Sequence, residues 1–304
     1  MKNILLFGTG DGARKYLLKN GANLNILAAF DNDLNKHNSF IEGIKIHSPK
    51  EINNFDFDEI IIVSQWAKDI YQQLVNDLNI DKAKIIIPAK KDIKIANRPF
   101  EDDKTRELAR KIIIHISKNA IKNNIPVLID FGTLLGIVRD EDVIKWDDDI
   151  DFSITEEALR IDFSLWLKDI MSEMDSSINF RIRTKTIENK NVSYVLELED
   201  SLNEIRFRNF TTSISLRHNI GGYSKHLPSG GMWYAPKEHF DKYEIIEWLG
   251  HKVYAPNKYK EYLTFLYGDW KTPKKDITMA DYANLGKVEY SDFMNLGIGY
   301  EEIK

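Results

Sequence analysis

Four aspartates stand close together near the middle of the chain. Asp147, Asp148 and Asp149 are consecutive, and Asp151 follows after one apolar residue. Side chains alternate between the two faces of a strand, so Asp149 and Asp151 should point the same way while Ile150 enters the core. Asp147 joins the acidic face if the strand starts early enough, whereas Asp148 does not.

Carboxylates held side by side raise one another's pKa, and a divalent cation removes that cost. Hard oxygen ligands suit Mg²⁺ or Mn²⁺. The sequence therefore predicts a metal site at Asp149 and Asp151, with Asp147 as a further ligand, and the first two as candidate catalytic residues. The alternative is a solvated acidic loop, which is also how residues 140–142 can be interpreted.

A glycine and a threonine, Gly132 and Thr133, lie shortly before the aspartates. They follow an apolar run suited to a strand, and the residues after them suit the start of a helix. Glycine lets the backbone approach a phosphate closely, and helix N-termini attract anions. We therefore expect Gly132 and Thr133 to cradle a phosphate within reach of the metal. The pair could equally form only a turn and a helix cap.

A family resemblance rests on these same residues. Phe-Gly-Thr-Leu-Leu-Gly-Ile-Val-Arg at 131–139, followed by Trp-Asp-Asp-Asp-Ile-Asp at 146–151, resembles the signature of the LicD-type phosphotransferases. These are relatives of fukutin and fukutin-related protein in the nucleotidyltransferase-fold superfamily. Leu-Tyr-Gly-Asp-Trp at 266–270 is similar to the closing segment of the family, so the resemblance covers roughly residues 104–275. It implies a small mixed sheet with helices, a divalent metal, a CDP-activated donor, a sugar acceptor and a substrate contact for Arg139.

Enzymes of this fold usually carry a third carboxylate on a strand next to the acidic one, and the sequence offers two candidates. Glu197 and Glu199 would share one face of a strand predicted over residues 192–198. We predict Glu197 as the third catalytic carboxylate because it lies nearer the middle of that strand. The alternative is that both glutamates are solvated.

Two arginines could bind the phosphates of a donor. Arg206 and Arg208 alternate with an apolar residue in a strand predicted over residues 205–216, so they should share a face. Arginine binds phosphate through paired hydrogen bonds, which makes both residues candidate substrate contacts. Each could instead pair with the acidic strand at the surface. Further along, residues 221–233 are rich in glycine and aromatic side chains and are interpreted as a mobile loop that closes on the acceptor.

The first 90 residues alternate strand and helix, which predicts a parallel sheet of Rossmann type. Gly8, Gly10 and Ala13 fit the G-x-G-x-x-G/A spacing, and Asp31 follows about 20 residues later. Gly8, Gly10 and Asp31 are therefore candidate nucleotide-binding residues. The segment resembles the small Rossmann-like N-terminal domains of several bacterial sugar-modifying enzymes, where such a domain binds a nucleotide-sugar or simply packs.

Composition excludes several classes of function. The chain has 304 residues, a formal net charge of −5 and no cysteine, so disulfides, thiol chemistry and cysteine-ligated zinc are excluded and nucleic acid is not an expected partner. No apolar run is long enough to span a bilayer. We expect a cytoplasmic protein, with peripheral contact to the inner face of the membrane as a variant.

The predicted architecture is α/β, with a small Rossmann-like domain followed by a nucleotidyltransferase-fold α+β domain. The predicted boundaries are a Rossmann-like domain at 1–90, a linker at 91–103, a LicD-like catalytic domain at 104–285 and a C-terminal tail at 286–304.

The predicted function is metal-dependent transfer of phosphocholine, phosphoethanolamine or a polyol phosphate from a CDP-linked donor to a sugar hydroxyl of a surface glycan, as in capsule or lipopolysaccharide synthesis. One alternative is a nucleotidyltransferase that uses NTP on a small molecule or sugar phosphate. Another is a catalytically inactive protein that binds nucleotide or glycan.

Overall fold

The computed structural model of the chain describes residues 1–64, 66–88, 93, 98–174, 178–200, 206–230, 232–274 and 296–303. These residues form two compact units, one ending at residue 93 and the other beginning at residue 98. Parts of the predicted linker (91–92 and 94–97) and tail (286–295) lie outside the described residues, as does the side chain of Glu199.

The described residues of the N-terminal unit form a six-stranded sheet with two α-helices. Its elements are β1 Asn3–Phe7, α1 Asp11–Asn20, β2 Asn25–Phe30, β3 Phe40–Ile41, β4 Ile44–His47, β5 Glu59–Ile62, α2 Ala67–Gln72 and β6 Ile85–Ile86. The strand order is β3-β4-β2-β1-β5-β6, and every pairing except β3–β4 is parallel. The central strand β1 is apolar and almost wholly buried, as expected for a parallel sheet. The predicted Rossmann-like fold is confirmed.

Where the structure describes the C-terminal unit, it contains four α-helices and ten strands. The helices are α3 Asp103–Asn123, α4 Phe131–Arg139, α5 Phe163–Ser172 and α6 Tyr259–Tyr267. The strands are β7 Leu128–Ile129, β8 Asp149–Thr155, β9 Ile178–Ile187, β10 Lys190–Asp200, β11 Thr211–Ile220, β12 Tyr223–His226, β13 Tyr234–Pro236, β14 Tyr243–Trp248, β15 His251–Pro256 and β16 Ile298–Glu302. The last strand lies in the segment predicted as a tail.

These ten strands form one mixed sheet. Its main path is β14-β15-β7-β8-β11-β10-β9-β16, with β12 and β13 added as a hairpin beside β11. The acidic strand β8 runs antiparallel to β7 and parallel to β11. The sheet is mixed and accompanied by helices, as the family resemblance implies, but with ten strands it is larger than the small sheet expected. The predicted α+β class is confirmed.

The sheet has an apolar face and a polar face around β8. Ile150 and Phe152 are buried in the main core of the unit, whereas Asp149 and Asp151 alternate with them and point the other way, as predicted. Directly paired residues share a face, so the register identifies the neighbours of the aspartates. Across β8, β11 and β10 the paired rows are Asp149–Thr211–Glu197, Asp151–Ser213–Val195 and Ser153–Ser215–Ser193.

Two predicted segments differ from the structure. Strand β11 begins at Thr211 and not near residue 205, because the backbone N–H of Arg208 donates to the Thr105 hydroxyl (3.0 Å) and Phe210 packs edge-to-face on Phe100 (5.1 Å). These contacts with the start of α3 draw residues 206–210 away from the sheet. The predicted mobile loop is largely an ordered hairpin formed by β12, a 3-10 turn over Leu227–Ser229, and β13.

Candidate metal centre and active-site face

Three carboxylates meet where the chain enters β8. Asp147, Asp148 and Asp149 each offer an oxygen, and the three oxygens lie within 4.8 Å of one another. All three side chains are half-buried. Asp148 joins this group although strand alternation predicts it on the other face, because the strand begins only at Asp149 and alternation does not apply before it.

Asp151 stands next to this cluster on the same face of β8. Burial raises the pKa of its carboxyl well above the ordinary value, and the charges of Asp149, Asp147, Asp130 and Asp148 raise it further, in that order. A carboxyl in this position is costly to ionise unless positive charge is brought to it. The donor set is therefore suited to a hard divalent cation, which prefers carboxylate oxygens.

Gly132 and Thr133, predicted to cradle a phosphate, lie directly against the acidic cluster. A Cβ at position 132 would stand 2.2 Å from Oδ2 of Asp147, so only glycine leaves room for that carboxylate. The buried Thr133 hydroxyl accepts a hydrogen bond from the backbone N–H of Asp151 (2.8 Å) and thereby fixes the strand to helix α4. Both residues thus position the carboxylates, and the phosphate contact remains a prediction.

Helix α4 is capped by Asp130 and not by Thr133. The Asp130 carboxylate accepts from the N–H of Phe131 (2.8 Å) while its own N–H donates to the Asp151 carbonyl (3.0 Å). Phe131 adopts a left-handed φ of 42°, which is uncommon for an aromatic residue and places the sharp turn directly above the acidic strand.

A buried network beneath the cluster was not predicted from the sequence. Asp130 and Arg217 are almost inaccessible, and the guanidinium donates to Oδ2 of Asp130 through Nε (3.1 Å) and Nη2 (2.7 Å). Tyr262 donates to Oδ1 of Asp130 (2.7 Å) and accepts from Arg217 (2.9 Å), and the Ser153 hydroxyl donates to Asp130. Burial alone would lower the pKa of Arg217 and is the largest single effect, but the charge of Asp130, the hydrogen bonds to it and the nearby Tyr262 and Asp151 together outweigh burial and raise the pKa.

This network joins β7, β8, β11 and α6 behind the acidic residues. Its partners are far apart in the chain: 87 residues separate Asp130 from Arg217 and 132 separate Asp130 from Tyr262. The one signal available in the sequence is the position of Arg217, which continues the polar alternation of Ser213 and Ser215 in a strand.

The predicted third carboxylate shares the acidic face but lies two strands away. Thr211 stands between Glu197 and Asp149, and the Glu197 side chain forms an ion pair with Arg183 of β9. On the neighbouring strand β11, the positions facing the aspartates are hydroxyl residues, Thr211 and Ser213. The assignment of Glu197 as a catalytic carboxylate therefore remains a prediction.

Arg139 lies at the end of α4 and is engaged by its neighbours. Its guanidinium donates twice to the Asp140 carboxylate, both at 2.7 Å, and its centre lies 5.8 Å from the ring of Trp146. The Arg139 side chain is 7% exposed. In this structure it supports the loop that leads into Asp147.

Arg206 and Arg208 do not share a strand face, because both precede β11. Arg208 donates to the Arg98 carbonyl (3.0 Å) beside the start of α3. The guanidinium of Arg206 lies over the Phe207 ring at 5.4 Å. The alternation argument for these two residues is therefore wrong, and the structure does not bring them together with the carboxylates through the sheet.

The N-terminal candidates form a tight turn. Gly8 has a φ of +100°, and Asp31 accepts from the N–H of Thr9 (3.0 Å), from the Thr9 hydroxyl and from Lys36 (3.1 Å). A Cβ on Gly12 would stand 2.5 Å from the Ile93 side chain, whereas one on Gly10 would meet nothing within 4 Å. Asp31 thus ties the glycine turn to the end of β2, and its contact with a nucleotide remains a prediction.

A cleft of about 350 Å³ lies at the far end of β8, away from the carboxylates. It is lined by Thr155, Glu156, Glu157, Arg160, Asn219, Phe240 and Asp241. The strand is seven residues long, so this cleft is about 20 Å from Asp149 and is not part of the acidic site.

Comparison with known proteins defines the class of the C-terminal unit. A mixed sheet that carries an acidic strand, entered through a Gly-Thr helix start, is typical of a nucleotidyltransferase domain. Residues 124–258 match the family described as LicD/FKTN/FKRP, nucleotidyltransferase domain. The C-terminal unit therefore contains a region that matches this family, which confirms the resemblance. The match indicates a transferase of phosphorus-containing groups that acts on glycans.

The N-terminal unit has a separate relationship. Residues 1–86 match the family described as C2185-like, N-terminal. No relative of the chain is found among curated proteins. Within the described part of the chain, no helix combines the length and apolar composition needed to cross a membrane.

Three of the matching solved structures show how distant these likenesses are. A UDP-D-quinovosamine 4-dehydrogenase from Vibrio fischeri is 21% identical over 30% of this chain and 81% of that chain, with a TM-score of 0.23. An oxidoreductase from Agrobacterium radiobacter is 9% identical over 84% and 80%, and a UDP-N-acetylglucosamine 3-dehydrogenase from Acidithiobacillus ferrooxidans is 9% identical over 84% and 82%, both with a TM-score of 0.22. Scores this low support no statement about function, and the strand order itself defines the Rossmann-like fold.

Proposed function

We propose that the C-terminal unit transfers a phospho-substituent from a CDP-activated donor to a sugar hydroxyl of a surface glycan, in a reaction that needs Mg²⁺ or Mn²⁺. Phosphocholine, phosphoethanolamine and a polyol phosphate are the head groups we propose. The observation that carries the proposal is the crowding of four carboxylates at the start of β8, where burial and like charge raise the pKa of Asp151. The match to the LicD family supplies the reaction class.

Asp149 and Asp151 would hold the cation, with Asp147 as a further ligand. A bound divalent cation would neutralise the donor phosphates and stabilise the departing CMP. The other residues act by positioning: Gly132 leaves room for the Asp147 carboxylate, and Thr133 holds the backbone of Asp151.

The proposed step is a displacement at phosphorus. The acceptor hydroxyl oxygen forms a bond to the phosphorus that carries the head group, the bond from that phosphorus to the bridging oxygen breaks, and CMP leaves with both electrons of that bond. The hydroxyl proton passes to a carboxylate. Glu197 is our candidate for this base, because it lies on the same face as Asp149 and Asp151.

The test measures binding and turnover with the whole chain. Calorimetry with CDP-choline, CDP-ethanolamine, CDP-glycerol and CTP, with and without Mg²⁺, is run on the wild type and on Asp149→Asn/Asp151→Asn. Asp241→Asn, at the far end of the sheet, is the matched control. We expect Mg²⁺-dependent binding of one CDP-linked compound that is lost in the double variant and kept in the control, with release of CMP when an acceptor is present.

Other outcomes would redirect the assignment. Consumption of CTP with release of pyrophosphate would replace the proposal with nucleotidyl transfer. Mg²⁺-dependent binding without turnover of any acceptor would favour an inactive binding protein. Nucleotide binding that the double variant leaves unchanged would place the ligand at Gly8, Gly10 and Asp31 of the N-terminal unit and overturn the role of the acidic strand.

A further inference from the structure

A group of cationic side chains faces the carboxylates from the other side of the polar face. Arg181, Arg183 and Lys185 alternate along β9 and pair with Glu197, Val195 and Ser193 of β10. Arg183 and Lys185 therefore lie on the same face as Asp151, three strands away. At the usual spacing between strands, their backbone is about 14 Å from that of β8.

Lys185 carries a positive charge that the described residues do not balance. Its amine makes one hydrogen bond, to the Pro228 carbonyl at 3.3 Å, and no carboxylate of the described chain pairs with it. Burial lowers the pKa of Lys185, and no neighbouring acid acts in the opposite direction. A half-buried ammonium group with one carbonyl partner retains two donors and an unmet charge.

Two other nitrogen atoms near Lys185 also have no hydrogen-bond partner among the residues that the structure describes. Nε of Arg183 is buried without a hydrogen bond, although Nη2 of the same residue pairs with Glu197. Nδ1 of His226 is likewise buried and unpartnered. His226 pairs with Arg217 across β11 and β12, and burial together with the charges of Arg217 and Lys185 keeps its pKa well below the ordinary value. Unsatisfied buried nitrogens of this kind are uncommon in native proteins, and an ordered water or a bound ion is among the explanations for them.

We propose that Lys185 and Arg183, with His226 beside them, form a subsite that binds a phosphate or carboxylate group of the acceptor. The acceptor would then be an anionic sugar or glycan, such as a sugar phosphate, and not a neutral one. Hydrogen bonds from a lysine and an arginine to such an anion are charge-assisted and strong.

We assign the anion at Lys185 to the acceptor and not to the donor pyrophosphate. A pyrophosphate held at Asp149 and Asp151 would lie at β8, whereas the backbone of Lys185 is three strands away. An acceptor sugar placed between Ser213 and Val195 would span that gap, with its hydroxyl towards the carboxylates and its anionic group towards Lys185. The assignment to the acceptor rests on the proposed function, whereas the anion subsite itself does not.

The first experiment measures binding of inorganic phosphate without any divalent metal. Phosphate is titrated by calorimetry in EDTA into the wild type, Lys185→Met and Lys190→Met, the last being an exposed lysine on β10 as the matched control. Loss of one charge-assisted hydrogen bond should weaken binding about 10- to 100-fold in Lys185→Met and leave Lys190→Met unchanged. Equal affinity in all three proteins, or no phosphate binding by the wild type at millimolar concentration, would overturn the subsite.

A second variant and a second measurement exclude misfolding as the explanation for a loss of phosphate binding. Lys185→Arg keeps the charge and should keep phosphate binding within a few-fold. In the wild type, phosphate should raise the pKa of His226, because an anion beside the ring favours the imidazolium form. The NMR shift of the ring protons measures this pKa. Lys185→Met should abolish the change. A His226 pKa that phosphate leaves unchanged in the wild type would contradict the proposed geometry.

The last arm separates the two proposals. Asp149→Asn/Asp151→Asn should bind phosphate as the wild type does. The test of the anion subsite can therefore succeed even if the donor-binding experiment fails. Lys185→Met should raise the KM of a sugar-phosphate acceptor about 10- to 100-fold while the Kd of the CDP-linked donor stays within twofold. Weakening of the donor in place of the acceptor would move the anion to the donor and overturn the assignment to the acceptor.

Discussion

Gly132→Ala tests directly whether Gly132 shapes the acidic cluster. The added methyl group would stand 2.2 Å from Oδ2 and 3.2 Å from Cγ of Asp147. Ordinary contact begins at 3.4 Å, so the oxygen must retreat by about 1.2 Å. Asp147 belongs to the three-carboxylate group, and displacements around metal ligands typically cost about 10- to 100-fold in metal affinity. We expect a loss of that size for Mn²⁺.

The same substitution should not destabilise the protein. Position 132 lies in the first turn of α4 and does not have a positive φ, and alanine is a better helix former than glycine by up to about 1 kcal/mol. Unfolding temperature should therefore stay equal or rise slightly while metal affinity falls. This separation distinguishes a lost site from a lost fold.

The assay measures free Mn²⁺ by electron paramagnetic resonance during titration of the wild type, Gly132→Ala and Gly222→Ala. Gly222 is the matched control, because a Cβ there would meet nothing within 4 Å. An affinity of Gly132→Ala within twofold of Gly222→Ala would refute the steric argument. A wild type that binds no Mn²⁺ would refute the metal site itself.

Three further perturbations have definite expected outcomes. Arg217→Met should destabilise the C-terminal unit by about 3–5 kcal/mol, because it leaves the Asp130 charge buried and unpaired. Urea unfolding followed by tryptophan fluorescence should show this loss. As a control, Lys258→Met, at a surface ion pair, should change stability by less than about 1 kcal/mol. Asp151→Asn should raise the thermal unfolding temperature at pH 7 without metal. The pKa of Asp151 is higher in the folded state than in the unfolded state, so the folded state loses stability as pH rises above the unfolded pKa, and asparagine removes this loss. A lower unfolding temperature would contradict this reasoning. Burial alone would raise the pKa of Asp31, but hydrogen bonds and a lysine charge outweigh burial and lower it. The contribution of Asp31 to the stability of the folded state is therefore present above its unfolded pKa and is lost as pH falls through its folded pKa. In urea unfolding, Asp31→Asn should destabilise the protein at pH 7 and have little effect near pH 2.

The parts of the site that sequence analysis could predict are those governed by local periodicity. Asp149 and Asp151 alternate with Ile150 and Phe152, and a period of two fixes which face each occupies once the segment is a strand. Asp148 does not follow this periodicity because it precedes the strand. The residues at which strands begin and end are also hard to predict from the sequence. Strand β11 starts at Thr211, because tertiary contacts with α3 compete with strand pairing for the preceding residues.

Local patterns and motifs in the chain were enough to predict the Rossmann-like and nucleotidyltransferase-type units, the LicD resemblance and the aspartates that face one way from β8. The surroundings of these aspartates depend on three-dimensional packing: the space that Gly132 leaves for Asp147, the buried pair of Asp130 with Arg217, and Lys185, which has no carboxylate partner among the described residues. The difference between the two lies in the range of the interactions. Strand periodicity acts between neighbours in the chain, whereas ion pairing and burial act between residues that only sheet register brings together.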